Sequence, residues 1–225
     1  MYFRVLERKC LVNIKKLTWD FLDSNMYLIE EDTHLLVIDV IDDTDTLLKC
    51  FYASSVTVLL THEHFDHICG LNTLRKNVPC QVIASKACSE RIKDNKANMS
   101  LYVEAMAEVF GLECPKQWIP FVCQEADIVF GKFYEFRWRK HLVKCFSTPG
   151  HSAGSSTILM DNMLFVGDTV LDSRLMVKFP GSSKKLYKEL TVPLLEKLLT
   201  KVSFVYPGHG TIMKPDKARA FIKEV

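Results

Sequence analysis

The sequence predicts a mixed α/β protein, with strands paired in both directions and helices outside them. Three observations carry that reading. Short apolar runs rich in β-branched residues recur along the chain, each bounded by Asp, Asn, Gly or Pro, as strands are. Segments with helical spacing lie between these runs, which calls for crossover connections and parallel neighbours. Two runs are separated only by Asp161-Asn162. Both residues tolerate the left-handed backbone of a tight hairpin turn, so antiparallel pairing is present as well.

In chain order the strand-like runs are 26–29, 35–40, 56–60, 81–84, 142–146, 156–160, 163–166 and 202–206. Residues 67–76 form a helical segment after a His-rich loop. Ser85 is placed to cap a helix running to about residue 94. Residues 98–110 repeat apolar positions at helical spacing, and Gly111 ends them. Met99 and Met106 in that helix read as core. Ser182 or Ser183 begins another helix, with Leu186 and Leu190 on one face. Pro193 removes a backbone donor, so a break and a new helix are expected there.

The chain of 225 residues is long enough for a sizeable core, and with no repeat or Gly/Ser linker it reads as one domain, 1–225. Hydrophobic residues at 48% and charged residues at 25% argue against disorder. A net charge of +2 with scattered cations gives no footprint for nucleic acid or a membrane surface. The densest basic group, Arg137 to His141, alternates with aromatics and reads as one solvated strand face. No apolar run approaches the ~20 residues of a membrane span. Residues 1–16 mix charged and apolar side chains and lack a secretory pattern, so the expected location is cytoplasmic. The eight cysteines form no Cys-x-x-Cys pair and read as free, mostly buried thiols.

The chemistry concentrates in Thr61-His62-Glu63-His64-Phe65-Asp66-His67, directly after the run 56–60. Neutral imidazole and carboxylate are the ligand set that suits zinc, iron and manganese. Three later segments repeat one design. His151 follows a strand in a Pro/Gly turn, Asp168 closes a strand in Gly167-Asp168-Thr169, and His209 follows a strand in Pro207-Gly208-His209-Gly210. Seven ligands of suitable type at four strand ends describe one metal site. Asp39, at the end of the run 35–40, either orients a ligand imidazole or bonds loop amides.

His-x-His-x-Asp-His, Thr-Pro-Gly-His-Ser-x-Gly-Ser, Gly-Asp-Thr and Tyr-Pro-Gly-His-Gly occur in that order across roughly residues 25–215. This set resembles the metallo-β-lactamase-fold hydrolase superfamily, in its glyoxalase II-like branch. The resemblance implies an αββα sandwich: two mixed sheets face to face, helices on both outer faces, and the site in a cleft at one edge. It assigns His62, His64 and His151 to a first metal ion and Asp66, His67 and His209 to a second. Asp168 would bridge them, and Asp66 would also orient the nucleophile and move its proton. Secreted zinc β-lactamases carry Cys where this chain has Asp168, so antibiotic hydrolysis is not expected. The short tail after His209 gives no support for glutathione-thioester specificity.

Two divalent ions, zinc by expectation with iron or manganese as alternatives, would produce hydroxide at neutral pH by lowering the pKa of a water from 15.7 to about 7. The expected substrate is a small-molecule thioester, ester or lactone. An iron persulfide dioxygenase and a phosphodiesterase or ribonuclease are the alternatives. Arg174 and Lys178 follow Asp168 and are the candidate substrate-binding cations. Tyr187 and Trp118-Ile119-Pro120 either border the cleft or serve helix and strand packing.

Overall fold

A computed structural model describes residues 12–43, 52–115, 117–172 and 179–222. The first sheet has six strands in spatial order β1 (Asn13–Trp19), β2 (Ser24–Glu31), β3 (His34–Ile38), β4 (Ser55–Leu59), β5 (Cys80–Ser85) and β6 (Ile128–Phe130). Strands β1 to β3 pair antiparallel, and β3 to β6 pair parallel. The second sheet has five strands in the order β11 (Phe204–Pro207), β10 (Met163–Gly167), β9 (Ser156–Met160), β8 (His141–Ser147) and β7 (Phe133–Trp138). There β7 to β10 run antiparallel, and β11 lies parallel to β10.

Period-2 alternation along these strands builds three apolar layers, because neighbouring side chains point to opposite faces. On β3, Leu36 and Ile38 meet Phe165, Met160 and Tyr206 between the two sheets. The intervening Leu35 and Val37 turn outward, toward Leu71 and Leu74 of α1 (Leu71–Asn77) and Cys88 of α2 (Lys86–Arg91). On the far side, Leu164 and Val166 pack against Leu195, Leu198 and Ala218, from helices given below. Strands apolar on both faces are what a four-layer arrangement requires. The αββα sandwich is thus present, with both sheets mixed.

The local signals held at several joints. Asp161 has φ 53° in the β9–β10 hairpin, with Met160 opposite Met163. The Ser85 hydroxyl accepts the Cys88 N–H, although α2 stops at Arg91, short of residue 94. Gly111 ends α3 (Val103–Phe110) at φ 65°.

One reading holds in part and another requires correction. A new α-helix does begin beside Pro193, with the proline in its first turn, but no gap in the helical backbone precedes it. Helical backbone runs from α4 (Lys184–Leu186) through a π turn (Tyr187–Thr191) into α5 (Val192–Leu199). The Val192 N–H reaches back five residues to Tyr187 O, and this shift in the ladder brings the proline to the start of the new α-helical register. The final helix, α6, is Pro215–Phe221. Arg137 to His141 is not one solvated face either: Arg139 and Lys140 form a hairpin turn, while Trp138 and His141 pair across it and are buried.

Six cysteines fall in the described residues and all are free, with Cys88, Cys123 and Cys145 buried. Cys10, Cys50 and residues 1–11 of the N-terminal segment lie outside them. Among the described residues no helix is long and apolar enough to cross a membrane.

Candidate metal centre

Four strand ends deliver the seven predicted ligands to one place. His62, His64, Asp66 and His67 follow β4, His151 follows β8, Asp168 follows β10 and His209 follows β11. Six of these are buried, and the seventh, His209, has 23% of its side chain exposed. Ligand atoms of His62, His64 and His151 lie within 4.8 Å of one another, and so do those of Asp66, His67 and His209. Asp168 stands between the sets. Its Oδ2 is 3.5 Å from His151 Nε2 and 3.2 Å from His209 Nε2, and its Oδ1 is 3.4 Å from His67 Nε2. Asp66 Oδ2 lies 3.3 Å from His67 Nε2 and 3.2 Å from His209 Nε2.

Two glycines make this convergence possible. Gly167 adopts φ +50°, and a Cβ there would come within 2.5 Å of the Thr61 hydroxyl. A Cβ on Gly208 would collide with the Asp168 carboxylate.

The supporting shell fixes which ring nitrogens face inward. Asp39 Oδ1 accepts the Thr61 N–H at 2.7 Å, and Oδ2 accepts the Thr61 hydroxyl at 2.7 Å. Having given away its single proton, that hydroxyl is an acceptor for His62 Nδ1–H at 3.0 Å. His67 Nδ1 donates to Asp39 Oδ2 at 3.0 Å, and His209 Nδ1 donates to Leu22 O at 2.9 Å. In each ring Nε2 is left for the centre. Asp39 therefore bonds a loop amide and orients ligand imidazoles at once, which joins the two sequence readings. Asp39, His62 and His67 also lie within 4.8 Å, but the Asp39 oxygens are already engaged by Thr61 and His67 Nδ1.

Charge separates the two sets. Burial, with His67 beside it, holds His62 well below the ordinary histidine range, and burial with His151 beside it lowers His64 to about 3. These are neutral imidazoles, the ligating form. Burial opposes charge on His67, but Asp66 and Asp168 outweigh it and raise the ring well above its usual value. Burial likewise opposes charge on His209, which Asp168 nevertheless raises to about 10. Burial also works against ionising Asp66 and Asp168. His67 outweighs it at the first and His209 at the second, so both carboxyls stay well below the carboxylate range.

The donor set fits divalent metal. His62 Nε2 and Asp168 Oδ1 are buried without a hydrogen-bond partner, a costly state for polar atoms unless a cation completes them. His151 Nε2 and His64 Nδ1 face each other at 2.9 Å, a separation that suits a shared proton or cation.

Several participants escaped the sequence reading. Glu63, between two ligands, is fully buried, pairs with Arg91 and accepts the Ser152 hydroxyl at 2.8 Å. It thus ties the β4 loop to the His151 loop. Met99, buried with Phe65 and Val103 as a core residue, and Met106, packed against that cluster, also line a cleft of about 240 Å³ above the centre, together with Leu22 and Phe110. Trp118 packs edge-on against Phe65 at 5.5 Å, and the buried Tyr187 donates its hydroxyl to Thr169 O at 3.0 Å. Both therefore serve packing. Arg174 and Lys178 lie outside the described residues.

Fold and site together define an αββα protein built around a candidate metal centre. The chain belongs to the metallo-beta-lactamase superfamily, whose family model matches residues 56–209. It is 25% identical over 159 residues to a probable metallo-hydrolase of Methanocaldococcus jannaschii, covering 69% of each chain. It is 23% identical over 177 residues to a hydroxyacylglutathione hydrolase of a Shewanella species, covering 76% of this chain but only 57% of that one. The chain thus spans little more than half of the hydroxyacylglutathione hydrolase. Among solved structures, the BLEG-1 B3 metallo-beta-lactamase superposes with a TM-score of 0.72 at 20% identity, covering 91% of this chain and 95% of that one. TTHA1623, solved in a di-iron-bound form, superposes with a TM-score of 0.61 at 25% identity, covering 92% and 98%.

Proposed function

We propose that this protein is a metal-dependent hydrolase of a small-molecule ester, thioester or lactone. His62, His64 and His151 would hold one divalent ion, Asp66, His67 and His209 a second, and Asp168 both. The observation that carries the reading is the position of Asp168, within 3.5 Å of ring nitrogens from both sets at the floor of a cleft. Ions bound there supply Lewis acidity and a water made acidic enough to ionise near neutral pH.

The chain's own residues do the rest. Asp39 and Leu22 O fix the ring tautomers before substrate arrives. Asp66, lining the cleft, is placed to orient the attacking water and to receive its proton. The apolar walls exclude bulk water, which strengthens the electrostatics within. In the net reaction water adds to the acyl carbon and the C–O or C–S bond breaks. A carboxylic acid leaves with an alcohol or thiol, which takes up the proton passed through Asp66.

The test is elemental analysis of freshly purified protein, paired with turnover of ester, thioester, lactone and phosphodiester substrates and oxygen uptake with a persulfide. Two equivalents of metal and acyl hydrolysis are expected. Oxygen consumption with a single iron, or phosphodiester cleavage alone, would overturn the proposal.

A further inference from the structure

The cleft above the centre has two different surfaces. Its polar lining consists of His64, Asp66, His151, Asp168 and His209, all assigned above to the metal centre. The rest of its described lining is apolar, drawn from separate parts of the fold. Leu22 comes from the β1–β2 connection, Met99 precedes α3, Met106 and Phe110 lie on α3, and Leu171 and Phe179 come from the chain after Asp168.

Helix α3 shows how this wall is made. Val103 and Ala107, four apart, face the protein and are buried. Met106 and Phe110, also four apart, form a second stripe turned over the cleft. Phe110 is about half exposed, so the apolar wall reaches the mouth. At the other end Phe179 stands edge-on to His64 at 5.6 Å and to His151 at 5.9 Å, so the apolar surface begins right beside the ligands. The two methionines give a wall that adapts to shape. The volume of about 240 Å³ falls just below the ~300–1,000 Å³ of pockets for drug-sized ligands, which restricts the occupant to one modest group.

We infer that the cleft takes an uncharged apolar acyl group of modest size, an unbranched chain of about four to eight carbons or an aryl ring. Its carbonyl would lie at the Asp66–Asp168 end. This rests on the hydrolase reading and names the acyl side of its substrate. A charged acyl group would lose hydration against these walls with no described partner in them to replace it.

The experiment measures kcat/KM of the metal-loaded protein on p-nitrophenyl acetate, butyrate, hexanoate, benzoate and hemisuccinate. Each added methylene buried in the cleft should raise kcat/KM about fourfold, so hexanoate should exceed acetate by roughly 10²-fold. Hemisuccinate should fall at least about tenfold below butyrate. In Met106→Ala and Phe110→Ala the hexanoate-to-acetate ratio should drop several-fold. A second readout needs no turnover: 2-octanone should raise the melting temperature more than 2-butanone does at equal concentration. A flat ester series, or a preference for hemisuccinate, overturns the acyl assignment and leaves the hydrolase reading standing. If no ester here, and no thioester or lactone of the earlier screen, turns over but the ketones remain graded, the hydrolase reading falls and the cleft's preference stands. Ungraded ketones sink that preference.

Discussion

The two ligand sets sit against each other but are built differently. His62, His64 and His151 are buried, and the first two are held neutral by burial. Their set contains no carboxylate of its own and turns to Asp168 for charge. Asp66, His67 and His209 carry a carboxylate, two rings whose pKa values are raised by that carboxylate and by Asp168, and the one partly exposed ligand. Both sets reach the cleft, through His64 and His151 on one side and Asp66 and His209 on the other, but only the second has its own carboxylate and a partly exposed ring. On the proposed reading the first set anchors an ion, and the second, with Asp66, handles the nucleophile.

The comparison breaks most completely at the residue the sets share. Asp168→Ala should leave a folded protein that binds little metal at either set and loses roughly 10²–10³-fold in turnover, the scale of removing a preorganised electrostatic group. Full metal content and activity in that variant would refute the assignment. Next comes Asp39→Asn, which touches His67 directly and His62 through Thr61. Metal affinity at both sets should weaken by about 10–100-fold, as for other supports of ligand histidines. Weakening at one set only, followed by competition with a chromophoric chelator, would show that Thr61 does not transmit the effect.

A smaller effect should sharpen the contrast from the side of the anchoring set. Glu63→Ala removes the partner of Arg91 and the acceptor of Ser152, behind His62 and His151. It should cost about 3 kcal/mol, seen as a fall of roughly 6–12 °C in melting temperature. An unchanged melting curve would mean that the pair adds nothing to the support of the first set. The mildest test leaves the sequence alone. Limited treatment with a chelator should remove one equivalent of metal faster than the other, and His209→Ala should abolish the fast phase. Equal release rates would erase the distinction between the two sets.

The centre was readable in the sequence because ligation restricts residue type so strongly: chance seldom sets seven His and Asp residues at four strand ends. Its supports were not. Thr61 and Glu63 are ordinary until the fold brings Asp39, Arg91 and Ser152 beside them. Met106 and Phe110 look like core because helical spacing reveals a stripe without saying whether it meets protein or an open cleft. Strands β1 and β7 mix charged residues with apolar ones, as in Asn13–Trp19 and Phe133–Trp138, and so gave no clear run. The proline rule located the start of α5 at Pro193 but not the π turn that joins it to α4, because propensity alone does not foresee a shifted hydrogen-bond ladder.

His209 is held by the β1–β2 connection. Its ring donates to Leu22 O, Gly208 O accepts the Asn25 N–H, and Pro207 O accepts both Asn25 Nδ2 and Tyr27 Oη. Leu22 and His209 stand 187 positions apart. A ribosome therefore has to deliver nearly the whole of this sequence before the His209 set can be assembled, whereas His62, His64, His151 and Asp168 are all made earlier. On the proposed reading a cation held by His209 would tie the earliest strands of the chain to the latest ones.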